Sequence, residues 1–396
     1  MYNATNSRVF AGLLIALAAC SRADTPAPDA RAKASDQVII DLRYDRSLLL
    51  ETTSETSANV SIGDVDGDGK LDLVLAKGRH WPLVDRVQLG DGRGGIRAAY
   101  DLGSASDRSY SGQLADLDND GDLDVVISND TPDPKLVYLN DGKGRFTASP
   151  FGRAEWATRN ARIADMNGDH LPDIVVANRA GTNSTNYICI NRGAGRFDSN
   201  CSAFSHEPST TVTPVDIDRD GRMDIVVPHR DGGQSYVYRF GGSSDFTDAE
   251  RIPFGPADAG FRMAEVADFN GDSLLDIVAI DERSGAWLHF GQPDRRFAAG
   301  VRINDRPSAP YALTLSDLNR DGRMDIIVGH IEAPSIAYLN DGTGRGFTRL
   351  PFGDNKGAVY GFAVGDIDAD GVLDIAVARS DAPNLLFFGS RALTQR

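Results

Sequence analysis

Seven times along the chain, oxygen-bearing side chains fall on the first, third, fifth and ninth residues of a nine-residue segment. The copies are DVDGDGKLD (64–72), DLDNDGDLD (116–124), DMNGDHLPD (165–173), DIDRDGRMD (216–224), DFNGDSLLD (268–276), DLNRDGRMD (317–325) and DIDADGVLD (366–374). The candidate metal ligands are Asp64, Asp66, Asp68 and Asp72; Asp116, Asp118, Asp120 and Asp124; Asp165, Asn167, Asp169 and Asp173; Asp216, Asp218, Asp220 and Asp224; Asp268, Asn270, Asp272 and Asp276; Asp317, Asn319, Asp321 and Asp325; and Asp366, Asp368, Asp370 and Asp374. Side chains on alternate residues of a tight loop converge, and glycine at the sixth position permits the turn. An all-oxygen set without His or Cys selects calcium over zinc or copper, and magnesium fits less well because it demands octahedral geometry and retained waters. The seventh position varies through Lys70, Asp122, Leu171, Arg222, Leu274, Arg323 and Val372, as expected where only a backbone carbonyl is used.

An EF-hand loop opens in the same way but needs a bidentate acid at position twelve and helical flanks. Position twelve here is Leu75, Ile127, Val176, Val227, Ala279, Val328 and Val377, so that alternative fails in every copy. Asn167, Asn270 and Asn319 keep an oxygen but drop a charge, which predicts weaker sites. His170 and Ser273 replace glycine at the sixth position and predict backbone strain. Seven Ca²⁺ would bring +14 against a formal charge of −16, leaving about −2, so the acidity matches what up to seven structural ions require. The same negative charge argues against nucleic acid or an anionic membrane surface as the main partner.

The elements that must position these loops also repeat. The nonamers start 52, 49, 51, 52, 49 and 49 residues apart, so units of this length fill residues 37–396. In each unit an alternating stretch such as "VSIGD" or "GFAVGD" leads into the loop and a continuous apolar run such as "LDLVLA" or "MDIIVG" leaves it. A third run, "LVYLN" or "IAYLN", ends at a Gly-rich turn, "DGKGRF" or "DGTGRGF", and a fourth begins at the Phe. This order predicts a four-stranded antiparallel meander. One meander cannot bury both of its faces. Seven can by closing radially, which predicts an all-β, seven-bladed β-propeller. After the seventh nonamer come only a second and a third strand, "DIAVARS" and "NLLFFGS", whereas "QVIIDLRYD" (37–45) belongs to no unit. The N-terminal segment is therefore expected to supply the outer strand of the last blade.

These features resemble the FG-GAP or VCBS repeat of bacterial secreted proteins and of the integrin α-subunit propeller. The resemblance rests on the Asp-rich loop, the strand after it, the "LNDG" turn and the "PFG" stretches at 150–152, 253–255 and 351–353, and it covers all seven units. It implies that each loop joins the first two strands of a blade and holds calcium through the four positions named above.

Residues 1–19 carry one cation, Arg8, and an apolar run from Val9 to Ala19. That run is well short of the ~20 residues a bilayer span needs, and it is expected to be a secretory signal. Its end, Leu17-Ala18-Ala19-Cys20, resembles the bacterial lipobox and implies a lipid on Cys20; Ser21 in place of Asp then points to the outer membrane. Residues 20–36 are small, polar and Pro-containing, as expected of a tether. Cys189 and Cys201 are left in an oxidising compartment, twelve residues apart around "NRGAG". They are expected to form a disulfide across a hairpin, whereas a register slip would leave two free thiols.

If the nonamers share one face of the disc, the second strands end on the other. Thirteen residues after each first Asp stand Lys77, Asn129, Asn178, His229, Asp281, His330 and Arg379, and six before it stand Ala58, Tyr110, Arg159, Thr210, Arg262, Tyr311 and Tyr360. The two sets are expected as neighbours at the channel rim, where the tyrosines would be stacking platforms for a sugar or a protein loop. The competing reading is that strand ends are simply polar, with Arg262 and Asp281 an ordinary ion pair. Trp81 and Trp156 fall on the same face, and Trp287 is expected to pack.

No Gly-x-Ser-x-Gly, Walker loop, His-Glu-x-x-His or zinc cluster appears. The leading reading is a monomeric, non-enzymatic, calcium-binding lipoprotein of the cell envelope, periplasmic or surface-exposed. It would present a protein- or glycan-recognition surface of adhesion or scaffold type. The alternative is a lectin or a polysaccharide-active lyase or glycosidase, with His229, His330, Arg159, Arg262 or Tyr311 as the groups to suspect.

Overall fold

Each acidic loop is a joint between two strands of different character. In the first blade the inner strand Ser57–Gly63 enters the loop with alternating burial, and the second strand Asp72–Lys77 leaves it buried along its whole length. Arg86–Gly90 and Ile96–Asp101 complete the blade, the last of them largely exposed. The computed structural model describes residues 39–179, 184–243, 245–303 and 309–394, and the signal and tether assigned to 1–36 lie outside them. Among the described residues there are seven four-stranded antiparallel sheets and no helix long and apolar enough to cross a membrane.

Six blades are built from four consecutive strands. The seventh is ordered Ile39–Leu49, Leu385–Thr394, Asp374–Ser380, Ala358–Gly365 from rim to channel. The N-terminal segment is thus its outermost strand, as the leftover sequence required, and it covers an edge that would otherwise be open. Arg46 adds a cation–π contact, 3.6 Å above the ring of Phe388.

The core lies between blades. Leu73 and Leu75 face the last blade and pack with Ala376, Ala378 and Leu386, while Val74 and Ala76 face the second blade and meet Val125 and Ile127. Val126, pointing the other way, joins Ile174 and Val176 of the third blade. Because alternate side chains serve two different interfaces, the run after each nonamer must be apolar without a break. Each buried Val, Leu or Ile of these runs stabilises the ring by about 1.5–3 kcal/mol relative to exposure.

Polar staples fix blade to blade. Asn140, Asn191 and Asn340 follow or end the third strands of blades 2, 3 and 6. Their Nδ2 atoms donate to the carbonyls of Val65, Leu117 and Phe269, in the preceding blade's acidic loop, at 2.8, 2.8 and 2.9 Å. This bond is the physical content of the Asn in "LNDG". In the first blade the same place is Gly90, where a Cβ would collide with the Leu71 carbonyl. Within blade 3, Cys189 closes the third strand Asn186–Cys189 and is disulfide-bonded to Cys201, with Cα atoms 4.4 Å apart.

Replacing Asn191 by Ala removes one inter-blade bond and leaves the Leu117 carbonyl unpaired, at a cost of about 1–3 kcal/mol. The denaturation midpoint of Asn191→Ala should fall accordingly, and an unchanged midpoint would contradict the staple.

Candidate functional site: the acidic loops and the opposite channel mouth

The ninth aspartate of each nonamer opens the second strand and is almost fully buried, from 0% exposure for Asp72 to 1% for Asp224. One carboxylate oxygen accepts the N–H of the second loop residue: Val65, Leu117, Met166, Ile217, Phe269, Leu318 and Ile367, at 2.8–3.2 Å. The other accepts an N–H from the end of the third strand or just after it, Gly90, Asn140, Asn191, Phe240, Gly291 and Asn340, and from Gly389 within the longer Leu385–Thr394 strand of the seventh blade, again at 2.8–3.2 Å. Burial pushes these carboxyls up to about 6, and Asp224 to about 7, although the amide bonds favour the ionised form.

The first aspartate wraps the loop. Its Oδ2 accepts the N–H of the sixth residue in all seven copies at 2.8–3.0 Å. That sixth residue is in the left-handed region throughout, including His170 at φ 66° and Ser273 at φ 72°, so these two carry the expected unfavourable backbone. The fifth aspartate accepts the N–H of the seventh residue at 2.8–3.0 Å.

Where the third residue is Asp, carboxylate oxygens of the first, third and ninth residues lie within 4.8 Å of one another. These groups are Asp64, Asp66 and Asp72; Asp116, Asp118 and Asp124; Asp216, Asp218 and Asp224; and Asp366, Asp368 and Asp374. The fifth aspartate is not part of them. Several acidic clusters can therefore bind a metal ion. Asp218 and Asp368 have side chains only 7% and 9% exposed, and each leaves Oδ1 without a hydrogen-bond partner. A buried carboxylate oxygen with no donor fits a cation. Arginines approach the third carboxylate in three of these loops: Arg97 at Asp66, Arg239 at Asp218 (2.8 Å) and Arg46 at Asp368 (2.5 Å). In the loops with Asn the third residue is satisfied internally. Asn167, Asn270 and Asn319 donate to Asp169, Asp272 and Asp321 at 3.0, 2.9 and 3.0 Å.

At the other end of the inner strands a cation–aromatic arc follows the blades around the channel. Arg262 lies 3.4 Å above Tyr311, which meets Tyr360 edge-on at 4.8 Å. Arg79 lies 3.6 Å above Tyr360 and 5.6 Å from Tyr110, over which Arg159 sits at 4.4 Å. Thr210 of the remaining blade donates to the Arg262 carbonyl. The arc frames a cavity of about 300 Å³ lined by Ala58, Tyr110, Arg159, Thr210, Arg262 and Tyr360, among others. Arg162, also in its wall, is ion-paired with Glu265 two blades on.

The tyrosine faces are thus covered by guanidinium groups and are not open platforms for a sugar. The second-strand ends do not join the cavity either. Lys77, Asn129, Asn178, Asp281, His330 and Arg379 are buried, and His229 is half-buried. Most of them hold the loop between the second and third strands: Asn129 donates to Pro134 (2.6 Å), Asn178 to Thr185 (2.6 Å), His330 Nδ1 to Pro334 (2.8 Å) and Arg379 Nε to Pro383 (2.7 Å). The His229 amide donates to Ser235, and Asp281 accepts from Gly260 and Arg283. Arg262 pairs with Glu282 at 3.1 Å, not with Asp281. Trp81 is 70% exposed, Trp156 stacks on Tyr187 at 4.1 Å, and Trp287 packs between blades as expected. Sequence reasoning missed Arg79. Its local signal is Gly78, just after the buried strand end at Lys77, where φ is 108°.

Six overlapping segments, 64–127, 116–176, 165–227, 216–279, 268–328 and 317–377, match the FG-GAP-like repeat family. The chain is an FG-GAP repeat protein. No curated protein sequence matches it. Among the solved structures that share its fold are two at 12% identity. The BBS1N chain of a BBS1N complex with ARL6DN has a TM-score of 0.60 over 90% of this chain and 99% of its own. A streptogramin B lyase has a TM-score of 0.58 over 90% of this chain and 98% of its own.

In the first blade of this FG-GAP protein, Asp85 fills the place taken by Asn186 in the third and Asn384 in the seventh. It accepts the Lys77 amide at 2.7 Å and the Ser109 hydroxyl at 2.9 Å. Burial pushes its carboxyl from 3.8 up to about 7. Its contribution to stability is complete below 3.8 and is lost as pH rises through about 7. Asp85→Asn should therefore flatten the stability profile between about pH 4 and pH 8 by about 1–3 kcal/mol relative to wild type. Parallel profiles in denaturant titrations would contradict this.

Proposed function

We propose that this FG-GAP repeat protein is a non-enzymatic, calcium-stabilised propeller, lipid-anchored in the bacterial envelope, whose arginine–tyrosine mouth is a recognition surface for a glycan or a protein. The observation that carries the reading is the division between the two ends of the inner strands. Carboxylate clusters with unpartnered buried oxygens stand at one end, and a polar, guanidinium-framed cavity stands at the other.

In this reading the first, third and ninth aspartates of blades 1, 2, 4 and 7 hold calcium firmly. The Asn-bearing loops of blades 3, 5 and 6 hold it weakly, because their third residue already makes internal bonds. Bound calcium supplies positive charge where buried carboxylates crowd. The ninth aspartate meanwhile keeps the loop in register with the third strand. Protein recognition has a precedent in the BBS1N propeller, which was solved in complex with ARL6DN. A lyase reading has one local observation in its favour: the Tyr110 hydroxyl bonds the His80 ring at 3.0–3.1 Å beside the mouth.

Retention of the calcium-loaded chain on a glycan array, or specific co-purification of one envelope protein, is expected from the recognition reading. Turnover of an acidic polysaccharide into unsaturated products would replace it with the lyase. For the anchor, Cys20→Ser should move the protein from the detergent phase to the aqueous phase on Triton X-114 partitioning. A variant that stays in the detergent phase would contradict lipidation.

A further inference from the structure

Three guanidinium groups converge on the mouth, and their counter-charges do not balance them. Asp130 pairs with Arg159 at 2.6 Å. Glu282 is shared between Arg262 at 3.1 Å and Arg230 at 2.5 Å. Among the described residues no carboxylate lies within ion-pairing distance of Arg79, and its Nε is buried without a hydrogen-bond partner. A cationic surplus at the centre of a chain with formal charge −16 is not an average surface property.

The way these arginines are held sharpens the point. A guanidinium stacked on a ring uses its face and keeps its in-plane N–H donors for a carboxylate. Arg79, Arg159 and Arg262 are all stacked in this way, so the tyrosines orient the arginines and do not themselves offer a platform. Arg262 spends Nε on the Tyr311 carbonyl at 2.7 Å and Nη1 on Glu282, and Arg159 spends Nη1 on Asp130, whereas Arg79 meets the Ser380 hydroxyl at 3.4 Å. Arg79 is thus the least committed of the three, and the other two offer their remaining donors. The field is felt nearby: burial foremost, then Arg79 and Arg159, holds the His80 ring below its usual range.

The cavity wall asks for something further. Asn160 and Thr211 are among its lining residues, are 8% and 3% exposed, and leave Oδ1 and Oγ1 buried without a hydrogen-bond partner. An amide oxygen needs a donor, which neither a bare carboxylate nor an inorganic anion supplies. Hydroxyl groups do. At about 300 Å³ the cavity is at the small end of ligand pockets, fit for the terminal unit of a chain and not for a long run of it.

Resting on the recognition reading above, we infer that the channel mouth binds a sugar acid: its carboxylate on Arg79, Arg159 and Arg262, its hydroxyls toward Asn160 and Thr211. The experiment is calorimetric titration of the calcium-loaded full chain with galacturonate and its trimer, galactose and its trimer, sodium acetate, sodium sulfate and a glutamate-rich peptide. The galacturonates should bind at least about tenfold more tightly than the other probes and lose affinity as salt rises. Arg79→Gln should weaken them about tenfold with an unchanged unfolding temperature. Should that variant unfold, quenching of the exposed Trp81 of the wild type by galacturonate, reversed by salt, gives an independent readout. Equal binding of galactose would overturn the anion, and equal binding of acetate or sulfate would overturn the sugar. Preference for the acidic peptide would overturn both while leaving recognition intact. A partner captured by this face with no galacturonate binding would overturn only this inference, whereas a face that captures no glycan or protein would overturn the recognition reading as well.

Discussion

A carboxylate buried where two backbone amides converge is the constraint on which the propeller depends. In every blade the ninth aspartate of the acidic loop ends the loop, starts the second strand, and receives one N–H from the loop and one from the third strand or the residues just after it. The loop, the second strand and the third strand therefore meet on one side chain. Burying it raises its pKa and would be unfavourable alone. Without it two buried amides would have no acceptor, which is costlier than the loss of an ordinary hydrogen bond.

The rest of the loop follows from satisfying that buried charge. The first aspartate curls the chain by taking the sixth amide, and this forces a left-handed residue there even where the sequence supplies His170 or Ser273. Two further carboxylates then arrive beside the ninth in the four all-aspartate loops. Close like charges must be offset, and Arg46, Arg97 and Arg239 do so in part. The Asn residues of the other loops offset them differently, by turning a repulsive contact with the fifth aspartate into a hydrogen bond. The loops of blades 1, 2 and 5 are gripped from the next blade by Asn140, Asn191 and Asn340, so loop geometry and the packing of neighbouring blades are coupled.

Much of this was legible in the sequence because it is periodic. The fifty-residue spacing and the unbroken apolar run after each nonamer point to radially packed blades, since only a strand sandwiched between neighbours buries both faces. The leftover "QVIIDLRYD" announced the closing strand, and the spacing of Cys189 and Cys201 their disulfide. What the nonamer hid was the distinct duty of its ninth residue. Asp72 looks like one more ligand until the end of a third strand, eighteen residues on, donates Gly90 N–H to it. The mouth was half legible. Counting back along the inner strands finds Tyr110, Arg159, Arg262, Tyr311 and Tyr360, but orientation is tertiary. Nothing local reveals that each ring is capped by a guanidinium, that Arg79 completes the arc from outside the inner strands, or that His330 and Arg379 turn inward to hold a loop.

The central claim, that the acidic loops are cation-held joints of the ring, is tested most directly by the calcium content of the purified chain together with its thermal unfolding before and after chelation. The account predicts several ions per chain, four of them firmly held, and a large fall in unfolding temperature when they are removed. A chain without bound calcium that unfolds at the same temperature with and without chelator would contradict it.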